Sequence, residues 1–216
     1  MRGRMMKEDF THQLAQAQPY FIGEENAFRA AVLIPLVKIN QEWHVLFQVR
    51  AFSMRKQPGD ISFPGGHIDD TDESPKVAAI REAHEELGIA MNDVEVIGNL
   101  SPFITSPSFV IYPFVGILHD YPLPNYNKDE VEELFTVPLE WLLSHEPYMH
   151  EVDIAPTPNE DFPFHKIANG QKYKWRTRTV EEWFYEYEHY TIWGATARIL
   201  KYFIELLQVR DIPVRQ

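Results

Sequence analysis

A chain of 216 residues, 44% hydrophobic and 24% charged, is long enough to bury one sizeable core, and a single domain is the expected organisation. It contains no cysteine, which excludes disulfides, thiolate metal sites and cysteine nucleophiles and fits a reducing cytoplasm. A formal net charge of −12 argues against broad nucleic-acid binding, and it requires any polyphosphate substrate to be met by local cations and a divalent metal.

Residues 1–27 read as a polar lead-in with a short helix before Pro19, and residues 28–210 as the domain itself. Met1 to Phe10 carry no apolar signal core. The best candidate for a membrane span, Ala30 to Val37, is short and contains Pro35, so no membrane partner is expected. Phe28 to Ile39 and Trp43 to Val49 read as strands of a hairpin turned by Asn40-Gln41-Glu42. Residues 50–74, broken by Pro58, Gly59, Pro64, Gly65 and Gly66, read as loop with a short strand at Ile61 to Phe63. Ser74 at the N-cap and Pro75 at the first helical position open a helix that runs to Leu87, where Gly88 stops it.

Strands are expected at Val94 to Leu100, Val110 to Leu118 and Glu132 to Val137, and Pro138 opens a short helix through Leu143. Ser144 to Gln171 is proline-rich with weak periodicity, either a surface excursion or a pocket wall. Tyr173 to Arg178 and Glu182 to Trp193 read as strands, and Ala195 to Leu207 as a final amphipathic helix. Strands and helices out of strict alternation give an α+β class, an α/β/α sandwich with a mixed sheet between helices.

On a helical wheel Glu82, Glu85 and Glu86 share an arc of roughly 100°, with Val77, Ile80, Ala83 and Leu87 opposite. Carboxylates at these spacings repel, and a hard cation such as Mg²⁺ relieves that repulsion and can activate a water. Taken alone, three such glutamates are better read as a solvated acidic face. The glycine pair before the helix and Arg81 beside Glu82 change that weighting: the glycines let backbone approach a ligand, and Arg81 can pair with an acid or orient a loop carboxylate.

The segment resembles the signature of the Nudix hydrolases, G-x5-E-x7-R-E-U-x-E-E-x-G-U with U a bulky aliphatic residue. Glu73, Arg81-Glu82, Glu85-Glu86, Gly88 and Ile89 match in register, with the small Ala83 at the first U. Six residues rather than five separate Gly66 from Glu73, so His67 occupies the strict glycine position. The resemblance implies a sheet between helices and hydrolysis of a nucleoside diphosphate linked to another group. It further implies Mg²⁺ or Mn²⁺ bound by Glu82, Glu85 and Glu86, with Glu82 or Glu85 as base and Arg81 in the catalytic set.

The upstream stretch Arg55 to Gly66 is similar to the R-x3-G-x3-F-P-G-G element of coenzyme A pyrophosphatases, and Trp193-Gly194-Ala195-Thr196-Ala197 to their W-G-x-T-A element. That subgroup implies cleavage of coenzyme A or acyl-CoA to 3′,5′-ADP and 4′-phosphopantetheine or its acyl form. Alternatives are a broader pyrophosphatase acting on ADP-ribose, NADH or dinucleoside polyphosphates, and a non-catalytic nucleotide-binding module. Arg50, Arg55, Lys56, Gly65 and Gly66 are the expected substrate contacts, since arginine suits phosphate. Asp60 either extends the metal site or pairs with Arg81, and Glu130 and Glu133 stand where a further metal carboxylate is recruited in some members. The aromatic strand around Trp183 to Tyr190 is read as core, Trp193-Gly194 as a packing corner, and His84 as structural. The sequence leaves oligomeric state open.

Overall fold

The first long strand, β1 (Phe28–Ile39), is the axis of the molecule. It turns through Asn40 and Gln41, both at positive φ (50° and 72°), into β2 (Glu42–Arg50); two adjacent left-handed residues are what a tight hairpin turn needs. The computed structural model describes residues 12, 14–16, 26–106 and 108–209. Of the short helix expected before Pro19, only His12 and Leu14–Gln16 fall among them, and these are helical; the rest lies outside the described residues.

Two short strands come after the hairpin, β3 (Ile61–Ser62) on β2 and β4 (Gly65–His67) on the start of β1. Helix α1 (Pro75–Leu87) comes next, then β5 (Val94–Asn99), β6 (Phe103–Ser106) and β7 (Phe109–Leu118). β7 runs parallel to β1 through ten register positions, from Phe28↔Phe109 to Val37↔Leu118. β8 (Val131–Pro138) pairs with β2, so an eight-stranded mixed sheet results. A short helix α2 (Leu139–Ser144), a three-stranded sheet of β9 (Tyr148–Ile154), β10 (Arg178–Tyr187) and β11 (Tyr190–Ile192), and helix α3 (Gly194–Gln208) complete the chain.

Strand parity sorts the core. Leu33 and Val37 of β1 and Leu46 of β2 pack with Ala83 and Leu87 of α1, and Ala31 packs with Ala78 and Ala79. Ile34, Leu36, Val45 and Phe47 point the other way, to Ile199, Leu200 and Phe203 of α3. The large sheet is thus held between α1 and α3, the expected α/β/α sandwich.

Some expectations differ from the structure. Residues 173–177 form no strand; Arg178 begins β10, and the expected Glu182 to Trp193 strand is a hairpin turned at Glu188 and His189. β4, β6 and β9 have no counterpart among the expected strands. Every residue of β9 is exposed, so its sequence shows none of the one-sided burial that marks a strand. Among the described residues, no helix is long and apolar enough to cross a membrane.

Candidate active site

The loop before α1 is shaped by backbone pairing. β4 lies antiparallel on β1, Val32 opposite Gly65 and Ala31 opposite Gly66. Gly65 has φ of 154°, and a Cβ there would sit 2.3 Å from the Ala31 carbonyl oxygen. A Cβ on Gly66 would sit 2.5 Å from the Glu82 carboxylate. Gly65 is therefore required by the close approach of the β1 backbone, while Gly66 leaves the Glu82 carboxylate in place, where a side chain would push it aside. Helix α1 forms as its sequence dictates: the Ser74 hydroxyl accepts from the Val77 N–H at 3.3 Å, Pro75 occupies the first turn, and Gly88 closes the end in the left-handed region.

The three glutamates do not share one displayed face. Glu86 lies on the buried side with Ala79 and Ala83 and is 3% exposed, Glu82 sits at the edge, and Glu85 is half exposed. Glu86 is tolerated inside because one carboxylate oxygen accepts from the Gly65 N–H at 2.9 Å and from the Gln48 side-chain amide at 3.0 Å. Burial pushes its pKa up to about 7, with the Glu82 and Glu130 charges adding and the two donors opposing. Glu82 is also raised by burial, against the pull of Arg81, with Glu85 and Glu130 adding to the rise. Glu130 reaches this neighbourhood because the loop before β8 is stitched to the end of α1, the Asn127 N–H donating to the Glu86 carbonyl at 2.9 Å.

Arg81 organises the polar side of the site. Its Nε and Nη2 donate to the two oxygens of Asp72 at 3.1 and 2.9 Å, and Nη2 also donates to the His67 carbonyl at 2.9 Å. Nη1 donates to Glu82 at 2.8 Å and to Glu85 at 3.3 Å. The guanidinium holds Asp72 below the usual carboxylate range, and Asp72 chiefly raises the guanidinium in return. Arg81 therefore pairs with Asp72 and not with Asp60. Glu73, the acid that matched the signature, is exposed. Counted to Asp72, the spacing from Gly66 is the regular five residues (67–71), and the extra residue lies between Asp72 and Arg81.

These carboxylates fit a divalent cation by chemistry: all are hard oxygen donors, and their mutual charge is only partly offset by Arg81. Among the described residues no three such groups are gathered closely enough to hold a metal as they stand, since Arg81 draws Glu82 and Glu85 toward itself. Glu82, Glu85 and Glu86, with Glu130 nearby, are groups that could hold one once drawn together.

On the α3 face of the sheet a cleft of about 780 Å³ reaches the glycine pair. Arg50, Lys56, Gly65 and Gly66 line it, four of the five expected substrate contacts, and Asp60 lines it too. Arg55 is exposed and does not. His84 is exposed and bonds the Ile89 carbonyl, and the Tyr190 hydroxyl donates to Glu133 at 2.7 Å. Sequence reading missed Asp72, Gln48 and Trp193. Asp72 was signalled by the regular glycine spacing, and Gln48 by being polar within an apolar strand. Trp193, expected as a packing corner, is 47% exposed and forms part of the cleft wall.

Fold and candidate site together define a class: a sandwich with one glycine-led loop followed by an acidic helix packed on its central sheet. Comparison with known proteins agrees. The NUDIX domain family matches residues 27–158. The Nudix hydrolase NudL of Enterobacter sp. (strain 638) is 38% identical over 176 residues, covering 82% of this chain and 81% of its own. NudL of Salmonella paratyphi B is 36% identical over 199 residues, covering 92% and 93%. Among solved structures, a MutT/nudix family protein from Enterococcus faecalis gives a TM-score of 0.47 at 17% identity, covering 96% of this chain and 71% of that one. A C. elegans Ap4A hydrolase binary complex gives 0.44 at 20% identity, covering 55% and 85%. The chain belongs to the Nudix family and is a pyrophosphohydrolase. Members of this family generally use divalent metal ions and act on small nucleotide substrates.

Proposed function

We infer that residues 28–210 form one domain that hydrolyses the pyrophosphate of coenzyme A or acyl-CoA in the cytoplasm, giving 3′,5′-ADP and 4′-phosphopantetheine or its acyl form. The observation that carries the reading is a single cleft lined by both Arg50 and Lys56 and by the Gly65–Gly66 pair, whose backbone abuts the Glu82 carboxylate. Coenzyme A brings three phosphate groups into an acidic protein, and Arg50 and Lys56 are the cations this cleft offers them. The Arg55 to Gly66 element adds sequence support for this substrate class.

In this reading Mg²⁺ or Mn²⁺ is held by Glu82, Glu85 and Glu86, and the bound ion supplies Lewis acidity and an activated water. Gly66, which lines the cleft, leaves room for the Glu82 carboxylate beside it. Arg81 positions Glu82 and Glu85 through its Nη1. Gln48 and the Gly65 N–H hold Glu86 in a fixed orientation.

The test is a substrate panel with Mn²⁺ or Mg²⁺ present and absent, read by chromatography of products. Metal-dependent appearance of 3′,5′-ADP from coenzyme A is expected. Ready turnover of ADP-ribose or NADH with coenzyme A left intact would overturn the substrate assignment. Glu85→Gln and Glu86→Gln test the metal face separately: unchanged turnover in both removes it.

A further inference from the structure

We propose that Trp193 is the stacking platform for the base of the nucleotide substrate, with Glu182 beside it as the acceptor for an exocyclic amine. The proposal rests on reading the cleft as the substrate site and adds which ring system it selects.

Three aromatic side chains form a ladder across the second sheet. Tyr148 of β9 lies opposite Phe184 of β10. Ile192 of β11 pairs with Tyr185, which puts Trp193, one residue on, opposite Phe184. The rings are nearly parallel, 9° between Tyr148 and Phe184 and 6° between Phe184 and Trp193, with centroids 5.3 and 6.1 Å apart. These separations are close to the spacing of neighbouring strands, so the stack runs along the sheet. β11 is the last strand, and the ladder ends at Trp193.

Trp193 is 47% exposed and lines both the cleft and a shallower groove of about 380 Å³, the two sharing Asp60 and Ile61. A large ring left half in water, at the end of a parallel stack and inside a ligand cleft, is suited to receiving another flat ring. Phe28, the other exposed ring of the cleft, is already engaged edge-on with Phe109 and tilted against His67.

Glu182 gives the platform its chemical selectivity. It stands two residues before Phe184, hence on the same face of β10, and it lines the cleft. An ionised carboxylate accepts hydrogen bonds and donates none, so it favours a base carrying an amine over the same ring carrying a carbonyl. Glu182 also repels phosphate, which leaves the phosphates to Arg50, Lys56 and the glycine pair elsewhere in the cleft. The selected ligand is therefore a nucleotide whose base carries an exocyclic amine.

The probes are AMP and IMP, which differ at the amine position and contain no anhydride, so neither is turned over. Their binding is measured by calorimetry with Mg²⁺ present, on wild type, Trp193→Ala, Trp193→Phe and Glu182→Ala, with circular dichroism confirming that each is folded. Wild type is expected to prefer AMP. Trp193→Ala weakens AMP by about 5- to 150-fold, the range for loss of one base–aromatic stack. Trp193→Phe keeps most of the affinity, and Glu182→Ala removes the preference over IMP.

AMP binding by Trp193→Ala within about twofold of wild type, Trp193→Phe as weak as the alanine variant, or no AMP binding by wild type overturns the platform. A preference for AMP that survives in Glu182→Ala overturns the role of Glu182. If coenzyme A is not cleaved yet AMP binding depends on Trp193, the substrate reading falls and the platform stands. If coenzyme A is cleaved and AMP binding ignores Trp193, the platform alone falls.

Discussion

Asp72 and Glu73 are adjacent acids, one chosen by the structure as the partner of Arg81 and the other by the family signature, and mutation separates them. The Asp72 side chain is 4% exposed and receives two guanidinium hydrogen bonds, at 3.1 and 2.9 Å. A hydrogen bond to a charged group contributes about 1.5–3 kcal/mol, and removing one member of a buried pair costs about 3–5 kcal/mol when the other charge is left alone. Arg81 would not be left alone in Asp72→Ala, because Glu82, Glu85 and the His67 carbonyl still accept from it. The loss should therefore fall near the lower figures, about 2–3 kcal/mol. For a chain of this length that is a fall in Tm of about 4–12 °C. Glu73 is exposed, so Glu73→Ala should stay within about 0.5 kcal/mol, a change of about 2 °C or less. Thermal unfolding monitored by circular dichroism reads both. Metal titration of turnover should add a second difference, since an Arg81 released from Asp72 competes harder for Glu82 and Glu85 in that variant alone. Equal melting shifts in the two variants, or an unshifted Asp72→Ala, would refute the assignment.

The same geometry sets further expectations. Gly66→Ala drives a methyl group into the Glu82 carboxylate and should lower kcat at least about tenfold while the protein stays folded, which steady-state assays with a melting curve check. Gln48→Leu fills the same space but leaves Glu86 with the Gly65 N–H alone; the metal concentration for half-maximal turnover should rise about tenfold. Acid stability carries the mark of Asp72. Its folded pKa is depressed, so its contribution is fully present above the unfolded value of about 3.9 and is lost as pH falls through the lower, folded value. Asp72→Asn should therefore lower stability at neutral pH and converge with wild type at strongly acid pH, as measured by urea unfolding across pH.

Much of this was legible in the sequence because it is local. Ser74, Pro75 and Gly88 state the limits of α1, and α1 forms with those limits. The alternating and continuous apolar runs of β1 and β2 state the hairpin. What stayed hidden depends on partners distant in sequence. Phe103–Ser106 is too short and half-exposed to show a period, and becomes a strand through its pairing with β7. Tyr148–Ile154 is held by β10 alone, with no burial to impose a pattern. The aromatic residues of 173–177 suggested strand through propensity, yet no neighbouring strand pairs with them.

The largest difference at the site has one physical origin. A helical wheel assigns every carboxylate to solvent, and on that basis Glu82, Glu85 and Glu86 belonged to one outward face. The alternation of β2 argues otherwise once the fold is known. Leu46 faces α1, so Gln48, two residues on, faces it as well, and it is completely buried there. A buried amide beneath a helix requires a polar partner, and Glu86 is the residue that α1 turns toward it. The glutamates are thus graded in depth: Glu86 is fixed from below by Gln48 and Gly65, Glu82 is confined by Gly66 and Arg81, and Glu85 stands half exposed at the rim, held by Arg81. A site of that form can hold its innermost oxygen rigid while the outer carboxylates exchange Arg81 for a cation. The grading predicts that substitutions at Gln48 act on Glu86 and those at Asp72 on Glu82 and Glu85; because the three carboxylates share one cation in this reading, the two effects on metal affinity should depart from additivity in the double variant, as metal titration of turnover would show.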